Sequence, residues 1–299
     1  MPPIAAWLAT ATITLLMFSL GLGLKEYPFV LLRDRPAFLW RVVLATCFLV
    51  PLAGLVLVLL PFHALLSRPA WVAMALMLGC PSAPLILFRV RSSGGTAELA
   101  ARLQISAALL AILSIPLMAI LFKASAGIQG WEVSGWEVSG WEIRPIGVAV
   151  QVLKVQVVPV LAGVALGLWR PGLARRCSGV LGTLATLMLA ALMLALLVMS
   201  ARHLGPFLQR NLVGLAGMAA LSLLSLAMGY GLAGPDPLER RTVGLVIGMR
   251  NTGLAADLAL TYAPPSVLPE LIPGILSYVL ITVIVSTVFL RWQQRELAS

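Results

Sequence analysis

Val243-Gly-Leu-Val-Ile-Gly-Met-Arg-Asn-Thr-Gly-Leu-Ala-Ala-Asp-Leu-Ala-Leu260 places an arginine, an asparagine and an aspartate inside a segment otherwise apolar enough to cross a membrane. A charge near the bilayer centre costs about 2.5–3.5 kcal/mol on insertion scales, so Arg250 and Asp257 are expected to face protein or a water-filled cavity rather than lipid. Gly244, Gly248 and Gly253 punctuate the same segment. They allow a helix to unwind and present backbone groups to a ligand. The stretch predicts a polytopic transporter rather than an anchor.

The rest of the chain agrees. It has 299 residues, of which 60% are hydrophobic and 11% charged, with a mean hydropathy of +1.00, outside the range of ordinary soluble domains. At 1.5 Å per residue, about 20 apolar residues cross a hydrocarbon core of about 30 Å. Runs of that length predict nine spans, at residues 4–24, 38–60, 70–90, 101–122, 145–169, 178–200, 211–233, 243–263 and 272–290. The fold class expected is an all-α membrane protein. One transmembrane domain takes up residues 1–299, with a first half at 1–122, an outer loop at 123–144 and a second half at 145–299.

A net charge of +10 raises the question of nucleic acid, but the cations lie in short connections and form no stripe interleaved with polar residues. Alternate connections segregate them. One side holds Lys25, Arg33, Arg35, Arg41, Arg89, Arg91, Arg102, Arg170, Arg175, Arg176, Arg240, Arg241, Arg291 and Arg295; the other holds Arg68, Lys123, Arg144, Arg202 and Arg210. Short basic loops stay cytoplasmic, so the expectation is an N-terminus outside and a C-terminus inside an inner (plasma) membrane. Met1 to Leu24 lacks a basic n-region and reads as a membrane helix rather than a signal peptide. Cys47, Cys80 and Cys177 form no Cys-x-x-Cys pair and read as small buried thiols.

The third and eighth spans differ from the rest. Gly79, Pro81 and Pro84 interrupt the third, and proline removes a helix hydrogen bond and clashes with the preceding turn. Interrupted spans in corresponding positions of two halves point to a binding site between inverted repeats. The two lie five helices apart, an odd number that gives them opposite orientation. Pro51, Pro116 and Pro159 read as ordinary kinks. The outer loop carries three copies of a Gly-Trp-Glu-Val-Ser-like unit, with Trp131, Trp136 and Trp141, a period too short for a solenoid. His63 and His203 read as solvated residues of outer connections.

Residues flanking the two breaks are the candidate substrate-binding set: Pro81 and Ser82 in the third span, and Arg250, Asn251, Thr252 and Asp257 in the eighth. Lys154 joins them, either lining a crevice or snorkelling to an interface. Gln151 and Gln156 beside it mark a polar face.

The interrupted eighth span followed by Ala263-Pro264-Pro265, the run Phe18-Ser-Leu-Gly-Leu-Gly-Leu-Lys25, and Gly79-Cys80-Pro81 resemble motifs of the bile acid:sodium symporter family. Lys154, five residues before Pro159, matches a lysine of many relatives. The resemblance implies inverted repeats of five helices, a core with two broken crossing helices, and a panel against which the core moves. It further implies that the first helix of ten-helix members is missing, leaving spans 2, 3, 4, 7, 8 and 9 as core and spans 1, 5 and 6 as panel.

The sodium ligands that the resemblance leads one to expect are replaced. Where relatives have Glu-x-Gly-x-Gln-Asn, Val246 stands for the glutamate and Arg250 for the glutamine, with only Gly248 and Asn251 retained. Ile86 and Leu87 stand for a Ser-Asn pair, Gln104 and Ala108 for hydroxyls of the following helix, and Thr46 for a glutamine. Sodium needs oxygen ligands, which valine, isoleucine and leucine side chains lack. No metal site, catalytic residue or cofactor is expected. Arg250 has two readings: a fixed cation in place of the bound one, with coupling to protons or to nothing, or an ion pair with Asp257 that holds the broken helix together; Asp257 itself either balances the guanidinium or is protonated and released during a cycle.

The function expected is secondary transport of a small organic anion, such as a steroid conjugate, by alternating access, without the usual sodium coupling. Its partners are the bilayer and that substrate, and not nucleic acid. Alternatives are an arsenite- or auxin-type efflux carrier of the same superfamily, for which Cys80 beside Pro81 would matter, and a non-transporting receptor on this scaffold. An intramembrane aspartyl protease needs two carboxylates, and Asp257 is the sole acidic residue within a predicted span.

Overall fold

The computed structural model describes residues 2–24, 29–59, 66–83, 86–128 and 144–296. They form helices α1 (Pro2–Leu22), α2 (Val30–Asp34), α3 (Pro36–Leu44), α4 (Val50–Leu59), α5 (Arg68–Gly79), α6 (Ile86–Ser92), α7 (Ala97–Ile128), α8 (Pro145–Val152), α9 (Val158–Trp169), α10 (Pro171–Arg210), α11 (Leu212–Leu232), α12 (Pro237–Gly248), α13 (Thr252–Tyr262) and α14 (Leu268–Glu296). Two π-helical stretches, Ala45–Leu49 and Leu153–Val157, splice α3 to α4 and α8 to α9. The described residues contain no strand, only an isolated antiparallel bridge between Ser82 and Arg250.

Among the described residues, seven helices are long and apolar enough to cross a membrane: Ile4–Leu22, Pro36–Leu57, Ala97–Ser125, Pro145–Trp169, Pro171–Arg210, Leu212–Leu232 and Leu268–Gln294. The third and eighth expected spans are not continuous rods. Each is a pair of shorter helices, α5 with α6 and α12 with α13; Cys80 to Ala83 after α5 and Met249 to Asn251 after α12 are extended, and Pro84 lies outside the described residues. The expected span 178–200 is the middle of a 40-residue helix, at about 60 Å long enough to extend well past a 30 Å hydrocarbon layer. His203 therefore stands on α10, exposed, and not in a connection. Helix α7 likewise continues to Ile128, into the stretch expected to be loop. The tryptophan repeat and His63 lie outside the described residues.

Helix α1 packs along α9 and α10, and α11 packs against α12 and α14. Close approach of α1 and α9 depends on two glycines. A Cβ on Gly21 would lie 2.2 Å from the Val160 carbonyl oxygen, and one on Gly163 would lie 2.2 Å from that of Phe18. Small residues at such crossings let backbones touch, the usual means of joining helices where lipid is as apolar as the side chains. Tyr230, Phe289 and Trp292 meet edge-on or tilted at centroid separations of 5.4–6.1 Å between α11 and α14. The outer face of α10 carries Val180, Leu187, Leu194 and Val198 at 60–70% exposure, a surface suited to hydrocarbon.

Polar contacts gather where α12 begins. Arg35 forms an ion pair with Glu239, Arg241 donates to the Ser93 carbonyl, and Arg240 donates to the Tyr230 hydroxyl at 3.1 Å. The Thr242 hydroxyl accepts from the Thr96 amide at 2.9 Å. Asp236 caps α12 by accepting from Leu238 N at 3.0 Å, as N-cap aspartates do.

Candidate functional site

The two breaks meet. Cys80-Pro81-Ser82-Ala83 runs extended between α5 and α6, and Met249-Arg250-Asn251 runs extended between α12 and α13. The two pair antiparallel through the Ser82–Arg250 bridge. Ala83 N donates to the Met249 carbonyl at 3.3 Å, and Asn251 N reaches the Cys80 carbonyl at 3.5 Å. Buried backbone groups need partners. Each break supplies some of those that the other lost by leaving the helix.

Each helix end is closed by its own residues. Cys80 N and Met249 N complete the last turns of α5 and α12 with the carbonyls of Leu76 and Leu245. Asn251 starts α13, its side-chain oxygen accepting from Leu254 N at 3.1 Å. Two helix C-termini thus point towards the crossing, and helix C-termini carry a partial negative charge that favours a cation.

Arg250 supplies that cation. It is 3% exposed, and its Nη1 donates to the main-chain carbonyl of Thr46 at 2.8 Å. That carbonyl is free for a local reason. The N–H of Val50 turns back to the carbonyl of Ala45, five residues before it. The next residue is Pro51, which has no N–H. Thr46 therefore lacks a helical donor, and its hydroxyl is turned away, donating to the Val42 carbonyl at 2.8 Å. The π-helical stretch is thus tied to the site, as such bulges often are. Pro51, read from sequence as a plain kink, produces the acceptor; its position five residues after Thr46 was the available signal.

Among the described residues, the remaining donors of Arg250, Nε and Nη2, are buried without a partner, as are the Ser82 hydroxyl, the Asn251 side-chain nitrogen and both amide atoms of Gln104. Val246, Ile86 and Ala108 are buried. Leu87 is half-buried. Thr252 opens α13 and is half-buried.

The structure therefore gathers Pro81, Ser82, Arg250, Asn251 and Thr252. It places Asp257 elsewhere. Its two carboxylate oxygens accept from the Thr10 hydroxyl of α1 at 2.5 Å and from the Gln151 side-chain amide of α8 at 2.8 Å. The alternative reading, an ion pair between Arg250 and Asp257, does not hold: the guanidinium is taken up by Thr46 and the carboxylate by two neutral donors. Seven residues along a helix is nearly two turns, which would put both side chains on one face, but Arg250 lies in the extended break and only Asp257 in the helix that follows it. Lys154 stands exposed in the second π-helical stretch, apart from the crossing. Gln151, noted from sequence only as part of a polar face, is a direct partner of Asp257. Gln156 is buried, and its side-chain oxygen has no partner among the described residues.

The comparisons now have a structure to be set against. The family model described as Sodium Bile acid symporter family matches residues 10–205. The match takes in the first break and the helices that carry Thr10, Thr46 and Gln151. A comparison with curated proteins gives no match. The described residues are helical, seven of their helices are apolar and long enough to cross a membrane, two interrupted helices pair at their breaks, and the family model matches more than half of the chain: the protein is an integral membrane protein that belongs to the sodium bile acid symporter family.

Proposed function

We propose that the protein is a secondary transporter of a small organic anion, with the crossing of the two breaks as its working centre and Arg250 in place of the coupling cation. The observation that carries this reading is the Arg250 guanidinium, buried between the breaks and bonded to Thr46. The family resemblance puts sodium ligands at positions 46, 246 and 250. Here position 250 is itself a cation, and it reaches position 46. A guanidinium stays charged throughout any cycle. It fills the site without being released, which removes the ion binding that drives sodium symport.

In this reading the chain has nine spans, the seven continuous ones and the two broken ones, arranged as an inverted repeat without its first helix. Helices α1, α8–α9 and α10 form the panel and the others the core, and rocking of the core alternates access. The N-terminus is outside and the C-terminus in the cytoplasm of the inner membrane. Unpaired donors on Arg250, Ser82 and Asn251 suit an anionic group, and these residues, with Pro81 and Thr252, are the substrate-facing set. Asp257 takes the structural part developed below. Lys154, exposed on the panel side, would meet the anion outside the crossing.

The test is uptake of labelled steroid conjugates and small carboxylates into proteoliposomes, with sodium, potassium and proton gradients imposed in turn. Uptake of an organic anion that ignores a sodium gradient and is lost in Arg250→Gln is the expected result. Sodium-driven uptake overturns the replacement of the ion by Arg250. No uptake of any anion by folded protein overturns the carrier reading.

A further inference from the structure

Asp257 joins three helices that have no covalent reason to stay together. It sits in α13, in the second broken helix, fully buried. One carboxylate oxygen receives the Thr10 hydroxyl from α1, and the other receives the Gln151 amide from α8. Both partners belong to the helices joined where Gly21 of α1 meets the Val160 backbone and Gly163 of α9 meets the Phe18 backbone, α8 running through the π-helical stretch into α9. The carboxylate is the acceptor in each bond, and both donors are neutral.

Hydrogen bonds to an ionised carboxylate are roughly twice as strong as those between neutral groups. Leaving an ionised carboxylate buried without them is costly. Any sliding of α13 past α1 and α8 must break both bonds, so a charged Asp257 resists that movement. A proton from the aqueous phase, added to one oxygen, leaves a neutral acid. The second oxygen still accepts from Gln151, and the Thr10 hydroxyl can turn round and accept, but neither bond now has charge assistance. Nothing else is gained or lost in the step.

The surroundings make this group the one that a proton would act through. Helix α1 contains no ionisable side chain. From α8 and the following π-helical stretch, the charged residues are Arg144 and Lys154, both exposed. From the break that follows α5 the facing titratable group is Cys80, and from α13 itself it is Tyr262, both of which feel the charge of Asp257. From α14, Tyr278 is turned towards Arg250 and Ser222, and Glu270 is exposed.

We infer that Asp257 is a proton-binding site whose charge sets how firmly the second broken helix is held to α1 and α8. The inference rests on the carrier reading, since it concerns movement between those helices, and it names the ion that replaces sodium in controlling it. Protonation loosens the joint, and deprotonation restores it.

The test is conformational and needs no substrate. Arg175 at the start of α10 and Pro235 before α12 are both exposed. In a Cys177→Ser background, with Cys47 and Cys80 buried, Arg175→Cys and Pro235→Cys carry spin labels for distance measurement in liposomes. In the wild-type chain, acidification is expected to raise the population of a second distance, by up to about tenfold per pH unit, the limit for one proton. Asp257→Asn, a neutral isostere, should show the acid distribution at every pH. Gln151→Leu, which keeps the carboxylate but removes one donor, should move the midpoint and leave the two distances unchanged. A pH response that persists in Asp257→Asn overturns the inference. So does a second distance that is induced by a transported anion but ignores pH, which leaves the carrier standing. One fixed distance under all conditions removes both.

Discussion

The guanidinium of Arg250 and the main-chain carbonyl of Thr46 meet at 2.8 Å because residue 51 is a proline. A hydrogen bond to a charged group contributes about 1.5–3 kcal/mol, and a carbonyl that has lost its helical donor has both lone pairs to offer. Pro51→Ala supplies an N–H within reach of Thr46 and competes with Arg250. Removing a proline from a helix has a favourable effect of its own, so a single variant is ambiguous. The double-mutant cycle of Pro51→Ala with Arg250→Gln, read by unfolding in detergent mixtures, is expected to show a coupling of about 0.5–3 kcal/mol. Additive effects would mean that the proline and the arginine act independently.

Returning two oxygen-bearing side chains to the crossing, and removing its fixed charge, should make it responsive to sodium. Val246 is fully buried in α12, four residues before Arg250, and the two stand where the resemblance expects a glutamate and a glutamine. The wild-type protein is expected to melt at the same temperature in sodium and in potassium at equal ionic strength. Val246→Glu combined with Arg250→Gln should melt higher in sodium, because a ligand that binds only the folded state stabilises it by mass action. A sodium-dependent melting temperature in the wild type would show that a cation site survives beside the guanidinium.

Much of this was legible in the residues. The apolar runs marked helices long enough to cross a membrane, seven of which stand unbroken among the described residues, and Pro81 and Arg250-Asn251 marked the two helices that break, because proline and buried charge are costly for any uninterrupted membrane helix. The pairing of the breaks was not legible, since it is made by backbone groups of Ala83, Met249, Asn251 and Cys80 that any side chain would supply. The partners of Asp257 were hidden for a different reason. Spacing along the chain suggested Arg250, seven residues away, whereas Thr10 and Gln151 are brought there only by tertiary packing. Helix ends were misjudged for α7 and α10 because nothing in the bilayer argument stops a helix at the membrane surface.

The ion pair of Arg35 and Glu239 joins the corner before α3 to the first turn of α12. Its side chains are 46% and 18% exposed, so solvent and salt screen it. Glu239→Gln is expected to lower stability by no more than about 1 kcal/mol, and by less at high salt than at low. Unfolding measured at two ionic strengths checks this. A large loss that does not depend on salt would show that Glu239 fixes the position of α12 through packing rather than charge.

The contact of α1 with α9 makes the sharpest demand on a single atom. A methyl group at Gly163 would stand 2.2 Å from the Phe18 carbonyl oxygen and 2.9 Å from Leu22 N, both backbone atoms that cannot swing aside. The two helices must separate, giving up packing on both sides of the crossing. Gly163→Ala is therefore expected to cost about 1–3 kcal/mol, the range for overpacked interiors. Gly182→Ala in α10, where a Cβ meets nothing within 4 Å, should be neutral or stabilising by up to about 1 kcal/mol, since alanine favours the helix. Thermal melts of the two variants in one detergent compare them directly. Equal melting temperatures would mean that α1 and α9 are not held at the distance described, and that the rigid group to which Asp257 is tied does not exist.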